Sequence, residues 1–384
     1  MLLKNRILSA LLSVALTAAL TGAIVYAFPA KSGFSSQIIE ISPAQLEEGI
    51  THAVTGVPSD EIILTVDGND APAELLTYQI GYSCAYLDYM LSSYTGAGLD
   101  LSKPLPSGED PQDYIRTQSL DMVKQLLVLE NLAEKYGITL SSEDEAALEA
   151  QRKADIEEFG EAGYRAELYK MGLSEAGYER TVRSSALYQA LYEAYNTPDS
   201  LLYPEEADLL SYAAAADYIT ADHILLRTVD PETREPLAEA VIAEKRSLAE
   251  DILRQLRRSD DPLTTFAALA DEYGEDPGRQ ANPQGYTFTH GTMVEAFDSA
   301  ARALGENEIS DIVESEYGFH IILRRPLDSS AADSVRDEYF EVFFTSEADK
   351  SEMTLSPAVE RFDVAALYDA LRAAQGGTET PALP

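Results

Sequence analysis

Apolar positions change rhythm several times along the chain, and each rhythm predicts a different element. The first is uninterrupted. From Ile7 to Ala27 there are 21 residues without a charge, rich in Leu, Ala and Val, behind a start that carries Lys4 and Arg6. A bilayer-spanning helix needs roughly 20 such residues, whereas the apolar core of a cleaved signal peptide has roughly 7 to 15. The run therefore predicts an uncleaved anchor within residues 1–30. Basic residues stay on the cytoplasmic side, which sends everything after about Phe28 outward. Small residues at Ala27 and Ala30 keep a cleaved export signal open as the alternative. Residues 31–60 are polar, with few aliphatics, and read as a tether between membrane and folded body.

A β-branched run, Ile62-Ile63-Leu64-Thr65-Val66, ends in Asp67-Gly68. That dipeptide suits either a tight hairpin or a strand-to-helix turn. From about Glu74 to Ala215 apolar residues recur at steps of three and four, as in Met122, Leu126, Leu129, Leu132 and Tyr136, which predicts helices. Gly137 closes one of them, and Ser141 or Ser142 before Glu143 and Glu145 resembles an N-cap with acids in the first turn. Further helices are predicted over 143–158, 161–171, 174–195 and 204–215. Tyr78, Tyr82, Tyr86 and Tyr89 follow steps of four, four and three and share one helix face. Two readings fit that stripe: packing on neighbouring helices, or an exposed aromatic cradle for unfolded chains.

The period shifts near Asp217. Residues 218–227 read as a strand, 237–258 as a long charged helix, 263–273 as a short helix, 277–285 as a loop and 286–288 as a short strand. A helix over 293–304 and strands over 309–313 and 318–325 follow. Four short strands with helices between them, and connections too varied for a regular βαβ series, indicate an α+β unit. Helical patterns return over 328–347 and 364–374, before a Gly/Thr/Pro tail. The predicted organisation is a signal or anchor at 1–30, a linker at 31–60, a helical domain at 61–216, the α+β domain at 217–327, a helical return at 328–374 that packs on the helical domain, and a disordered tail at 375–384.

Composition narrows the function. The 384 residues include 66 acidic and 28 basic side chains, for a net charge of -38, so binding nucleic acid by neutralising phosphates is disfavoured. A single cysteine, Cys84, can form no internal disulfide, and no Cys/His cluster is spaced for zinc or an iron-sulfur centre. No nucleophile elbow, phosphate loop, HExxH, dinucleotide fingerprint or EF-hand spacing occurs.

The candidate chemistry lies in the α+β unit, which holds His223, His290 and His320 of the four histidines. His223 and His320 occupy matching settings, Asp222-His223-Ile224-Leu225 and Phe319-His320-Ile321-Ile322. If those two strands are neighbours, the imidazoles can face one another; taken singly, each reads as a core histidine. On a helix over 293–304, Met293 and Phe297 stand one turn apart with Ala300, Ala301 and Leu304 continuing the stripe, which alone reads as core. Asp276 sits in Gly274-Glu275-Asp276-Pro277-Gly278, a setting in which a solvated turn carboxylate is ordinary.

Taken in order, these residues make a pattern. Ala221-Asp222-His223-Ile224-Leu225 matches A-[ST]-H-I-L with Asp at the second position. Phe266 and Leu269-Ala270 precede the loop. Gly285-Tyr286-Thr287-Phe288 matches G-x-x-F, and Gly291-Thr292-Met293-Val294-Glu295-Ala296-Phe297 matches G-x-M-V-x-x-F. Asn307-Glu308-Ile309-Ser310 matches G-E-x-S with Asn for Gly, and Tyr317-Gly318-Phe319-His320-Ile321-Ile322 closes the series. Residues 218–327 thus resemble the parvulin (PpiC, rotamase) family of peptidyl-prolyl cis-trans isomerases. The flanking plan resembles the bacterial extracytoplasmic foldases of the PrsA/SurA type.

The resemblance implies a four-stranded antiparallel sheet with surrounding helices beside a mostly α-helical chaperone domain. By position it implies His223, Asp276 and His320 as the catalytic residues, and Phe288, Met293 and Phe297 as the residues that bind proline. Ser315 fits the usual Thr/Ser near the end. The glycine-rich approach of the family has become Asn282-Pro283-Gln284-Gly285-Tyr286, which changes the pocket rim. No cofactor or metal is implied. The expected partners are unfolded or partly folded secreted polypeptides containing proline, and the cytoplasmic membrane through the N-terminal helix. Two functions follow: a foldase that accelerates X-Pro isomerisation outside the cytoplasmic membrane, or a holdase whose parvulin unit is an inert scaffold.

Overall fold

The structure, a computed structural model, describes residues 41–376. The anchor or signal expected at 1–30 and most of the tail lie outside the described residues. Among the described residues, no helix is long and apolar enough to cross a membrane. In chain order the elements are α1 (Pro43–Thr55), β1 (Ile62–Val66), β2 (Asn69–Pro72), α2 (Ala73–Thr95), α3 (Pro111–Tyr136), α4 (Ser142–Lys170), α5 (Glu175–Asn196) and α6 (Glu206–Ala215). They continue with β3 (Ile219–Arg227), α7 (Glu239–Arg258), α8 (Pro262–Tyr273), β4 (Tyr286–Phe288), α9 (Glu295–Ala303), β5 (Val313–Ser315), β6 (Gly318–Arg325), α10 (Ser329–Lys350), β7 (Met353–Leu355) and α11 (Val364–Ala374). The chain divides into two compact units. Among the described residues, one unit joins 41–203 with 344–376; the other is Pro204–Phe343.

In the first unit β1 and β2 form a hairpin whose two turn residues, Asp67 and Gly68, both have positive φ, 50° and 90°. Paired positive φ values match the right-handed twist of the flanking strands, so of the two turns open to Asp67-Gly68 the hairpin is the one formed. β7 adds to the other edge of β1, with Leu64 opposite Leu355. The helices α2 and α3 pack on each other, and Leu76, Ile80 and Leu87 of one and Val123, Leu127 and Leu129 of the other are buried. Ser141 caps α4 and closes a capping box with Asp144. The two helices predicted across 143–171 meet at Gly160, whose non-helical φ of 69° and ψ of 162° kink α4 there.

The tether expected at 31–60 is corrected by α1. Ser42 and Gln45 form a capping box, Pro43 follows the cap, and Gly49 bends the helix. Its apolar face is short, but Ile50, Thr51 and Thr55 are buried and Val57 is fully covered. The Thr51 hydroxyl donates to Thr77 Oγ1 of α2 at 2.9 Å.

The second unit is built on an antiparallel sheet in the order β4-β3-β6-β5. Alternate residues of the two long central strands serve two cores, as period two requires. Ile224, Leu226, Phe319, Ile321 and Leu323 face α7 and α8, where Ile252, Leu256 and Phe266 complete the packing. Ile219, Ala221 and Ile322 face the opposite way, toward Phe288, Phe297 and Ala301. The third strand, expected over 309–313, forms instead at Val313–Ser315, and Ile309 contributes only an isolated bridge to Leu323. At Ser310 the pairing with β6 is half side chain: its N–H donates to the Ile322 carbonyl at 2.8 Å, but its hydroxyl, not a backbone carbonyl, takes the Ile322 N–H in return and donates to the Asp311 carbonyl, which interrupts the regular ladder at that point. At its ends the unit is closed by Leu209 and Ala213 of α6 against Ala332 and Val335 of α10. It is therefore wider than residues 217–327.

Candidate functional site

The face of the sheet that carries His223 and His320 is also the face covered by α9. In the β3/β6 register Leu225 stands opposite His320 and His223 opposite Ile322. The two histidines are thus diagonal neighbours on one face, within reach of side chains of this size. Their rings stack with centroids 5.2 Å apart, and the two Nδ1 atoms are 3.1 Å apart. Both residues are buried, at 9% and 3% exposure.

Asp276 arrives from the loop after α8. β4 pairs only with Ile219 to Ala221, so the edge of β3 beyond that point is open, and the loop fills it. The Glu275 N–H donates to the Leu225 carbonyl at 2.9 Å, and the Arg227 N–H donates to Glu275 Oε2 at 2.7 Å. This seats Asp276 beside His223, with Oδ2 3.3 Å from His223 Nε2, at an angle that misses good hydrogen-bond alignment. The Tyr286 hydroxyl donates to the same Oδ2 at 2.5 Å, and the Gly278 N–H reaches Oδ1 at 3.4 Å.

Donor and acceptor roles then assign the protons. Burial pushes the Asp276 carboxyl up, but the His223 and Tyr286 groups beside it outweigh that and hold it at about 2. Burial, helped by the neighbouring His223, pushes His320 down to about 3. With Asp276 ionised and His320 neutral, His223 turns its Nε2–H to Asp276 and accepts from His320 at Nδ1. His320 Nε2 then accepts from the Ser315 hydroxyl, 2.7 Å away, and Ser315 Oγ accepts the Tyr317 N–H at 3.1 Å. One tautomer of each ring satisfies the line from His223 Nδ1 through His320 to Ser315, while His223 Nε2 faces Asp276 without good alignment. The third histidine of this unit lies elsewhere: the His290 ring is exposed, with Nδ1 3.1 Å from Asp298 and Nε2 3.5 Å from Asp217.

An aromatic wall closes one side. The Phe297 ring lies 5.2 Å from His223, 5.5 Å from His320 and 5.8 Å from Phe288. Phe288 is 2% exposed and backs Phe297. Met293 is half-buried in the same cluster, but not on the helix that the sequence predicts for it. The helix begins at Glu295 after a non-helical Val294 with ψ 141°, so Met293 reaches Phe297 from the preceding turn. Buried Asp298 anchors that turn through the Gly291 N–H.

Sequence reasoning missed three residues here. Tyr286, which holds Asp276, was visible only as an aromatic in the altered approach. Asp222, 2% exposed, stood in the strand motif where Ser or Thr is usual, and Arg279 carried no motif signal. Arg279 Nη1 donates to Asp222 Oδ1 at 2.6 Å, and Arg325 Nη2 lies 3.3 Å from Asp222 Oδ2. Among the described residues, no three His, Cys, Asp or Glu side chains are grouped to hold a metal ion.

With this geometry in hand, comparison with known proteins gives a consistent picture. Residues 223–325 match the family described as Rotamase: PPIC-type PPIASE domain. A foldase protein PrsA of Halalkalibacterium halodurans is 41% identical over 98 residues, 24% of this chain and 28% of that protein. A foldase protein PrsA of Geobacillus kaustophilus is 29% identical over 147 residues, 35% of this chain and 50% of that protein. A chaperone SurA of Chromohalobacter salexigens is 37% identical over 101 residues, 26% of this chain and 20% of that protein. The chain thus spans between a fifth and a half of the length of these relatives.

Proposed function

We propose, from the premise that residues 223–325 form a PPIC-type rotamase domain, that this protein is a foldase that isomerises X-Pro bonds in unfolded polypeptides. The observation that carries the proposal is the meeting of Asp276, His223 and His320 with Phe297 and Met293 on one face of the sheet. Rotation about an X-Pro bond crosses a barrier of about 18 to 20 kcal/mol set by amide resonance, and unaided it takes roughly tens to hundreds of seconds. No bond has to break. The catalyst must hold the twisted amide more tightly than either planar form. In this reading Met293 and Phe297 grip the proline ring and exclude the water that stabilises the planar dipole, with Phe288 supporting Phe297 from behind. Asp276 supplies the local field near the rotating carbonyl. The His223–His320 pair is a hydrogen-bonded floor that fixes the site's shape.

The apolar run Ile7–Ala27 behind Lys4 and Arg6 supports a membrane-anchored foldase with its body outside the cytoplasmic membrane, acting on exported clients. The helical unit would then hold the client while the rotamase domain works on it. A non-catalytic holdase is the second reading, favoured by Tyr89 and Tyr94 of α2, which are 52% and 59% exposed. Isomerisation of a proline peptide by the full chain, with His223→Ala and Asp276→Ala, tests both. Acceleration that falls at least about 10-fold in both variants supports the foldase. Wild-type protein that prevents aggregation of a client with no acceleration over buffer supports the holdase.

A further inference from the structure

The loop that carries Asp276 is fastened to β3 on both sides of that residue. One residue before it, the Glu275 N–H donates to the Leu225 carbonyl. Three residues after it, Arg279 reaches Asp222 Oδ1 at 2.6 Å, and Asp222 is the residue next to His223. Asp222 Oδ1 also accepts the His223 N–H at 2.8 Å, so one oxygen atom ties the backbone of His223 to the downstream arm of the Asp276 loop. The Arg279 side chain is only 14% exposed and Asp222 3%. Ion pairs so buried are weak evidence for stability, because desolvation offsets much of their attraction. Nor is Arg279 the sole cation available to Asp222, since Arg325 approaches Oδ2 from β6. Arg279 also donates to Asp271 Oδ1 of α8, at 3.2 Å from Nε and 3.0 Å from Nη2, so its guanidinium ties the downstream arm of the loop both to the helix before it and to the strand residue next to His223.

We propose that Arg279 and Asp222 are positioning residues that set the Asp276 carboxylate against the His223 imidazole. The inference rests on the isomerase reading of the site for its kinetic consequence, and on geometry alone for its effect on His223. Loss of the connection leaves the loop held at Glu275 and by the Tyr286 hydroxyl on Asp276 but not on its downstream side, and a displacement of about 1 Å at Asp276 weakens a field that falls on a rotating carbonyl.

The test uses the full chain labelled with 15N at its four histidines, as wild type and as Arg279→Gln, Arg279→Lys and Arg325→Gln. In Arg279→Gln, the His223 ring resonances shift, and kcat falls about 10-fold while KM stays within about twofold. Arg279→Lys keeps the charge without the fork and restores part of both effects; if the Gln variant fails to fold, the Lys variant decides. Arg325→Gln leaves the His223 signals and kcat near wild type while lowering the urea midpoint. Wild-type His223 resonances and kcat in both Arg279 variants, with only a lower urea midpoint, would overturn the proposal and make the pair purely structural. If wild type shows no turnover, the isomerase reading fails, and the His223 resonances still decide this inference.

Discussion

Acid should destabilise the second unit through His320, and the size of the effect follows from its burial. In the folded chain His320 is pushed from 6.5 down to about 3; in the unfolded chain it titrates as an ordinary imidazole. A base whose folded pKa lies below its unfolded value contributes stability that is intact above the unfolded pKa. That stability drains as pH falls toward the folded pKa, because only the unfolded chain takes up the proton. Each unit of pKa difference is worth about 1.4 kcal/mol. Between pH 7 and pH 5 the unfolded imidazole passes from mostly neutral to mostly charged while the folded one stays neutral, which removes about 2 kcal/mol. At a urea slope of roughly 1 to 3 kcal/mol per molar, that is a midpoint shift of about 1 M. The neighbouring Asp276 carboxylate already opposes the shift and is part of it. The assay is urea unfolding at the two pH values, followed by the histidine resonances of the second unit, in wild type and in His320→Asn. The variant serves only as a pH-slope reference, since both proteins share every other titratable group. An equal pH slope in the two proteins would refute the reasoning, because it would mean that His320 titrates alike in folded and unfolded chains.

Two further substitutions probe the pocket and the strand beneath it. Phe297→Ala removes a ring that is 3% exposed and touches both histidines; it should cost about 3 to 5 kcal/mol in urea unfolding and raise KM for a proline peptide, and unchanged KM in folded protein would remove Phe297 from the binding wall. Gly318→Ala introduces a Cβ at φ +147° that would lie 2.1 Å from the Leu226 carbonyl oxygen; β6 must move away from β3 two residues before His320. A loss above about 2 kcal/mol with a changed His223–His320 spacing is expected, and unaltered histidine resonances would contradict it.

The pairing of the two histidines was legible because it depends on strand period alone. Once His223 and His320 lie on adjacent antiparallel strands with apolar residues alternating around them, a register that buries both apolar sets also puts both imidazoles on one face. At Asp67-Gly68 the dipeptide marked a turn but left a hairpin and a strand-to-helix turn both open, and the pairing of β1 with β2 decides for the hairpin. The elements that were misread owe their form to partners distant in sequence. Residues 43–55 look like a polar tether until Thr51 is seen bonded to Thr77, and β7 is three residues that become a strand only where β1 offers an edge. Met293 kept its neighbour Phe297 although the helix starts two residues later than its pattern suggests, because the turn before it is tied down by buried Asp298. The same logic governs Asp276. Nothing in its own sequence distinguishes it from a solvated turn carboxylate; it becomes part of a site because β4 is too short to cover β3, which leaves an edge that Glu275 and Arg227 close. A longer β4 would displace the loop and the carboxylate with it, so the length of one short edge strand sets where the charge stands.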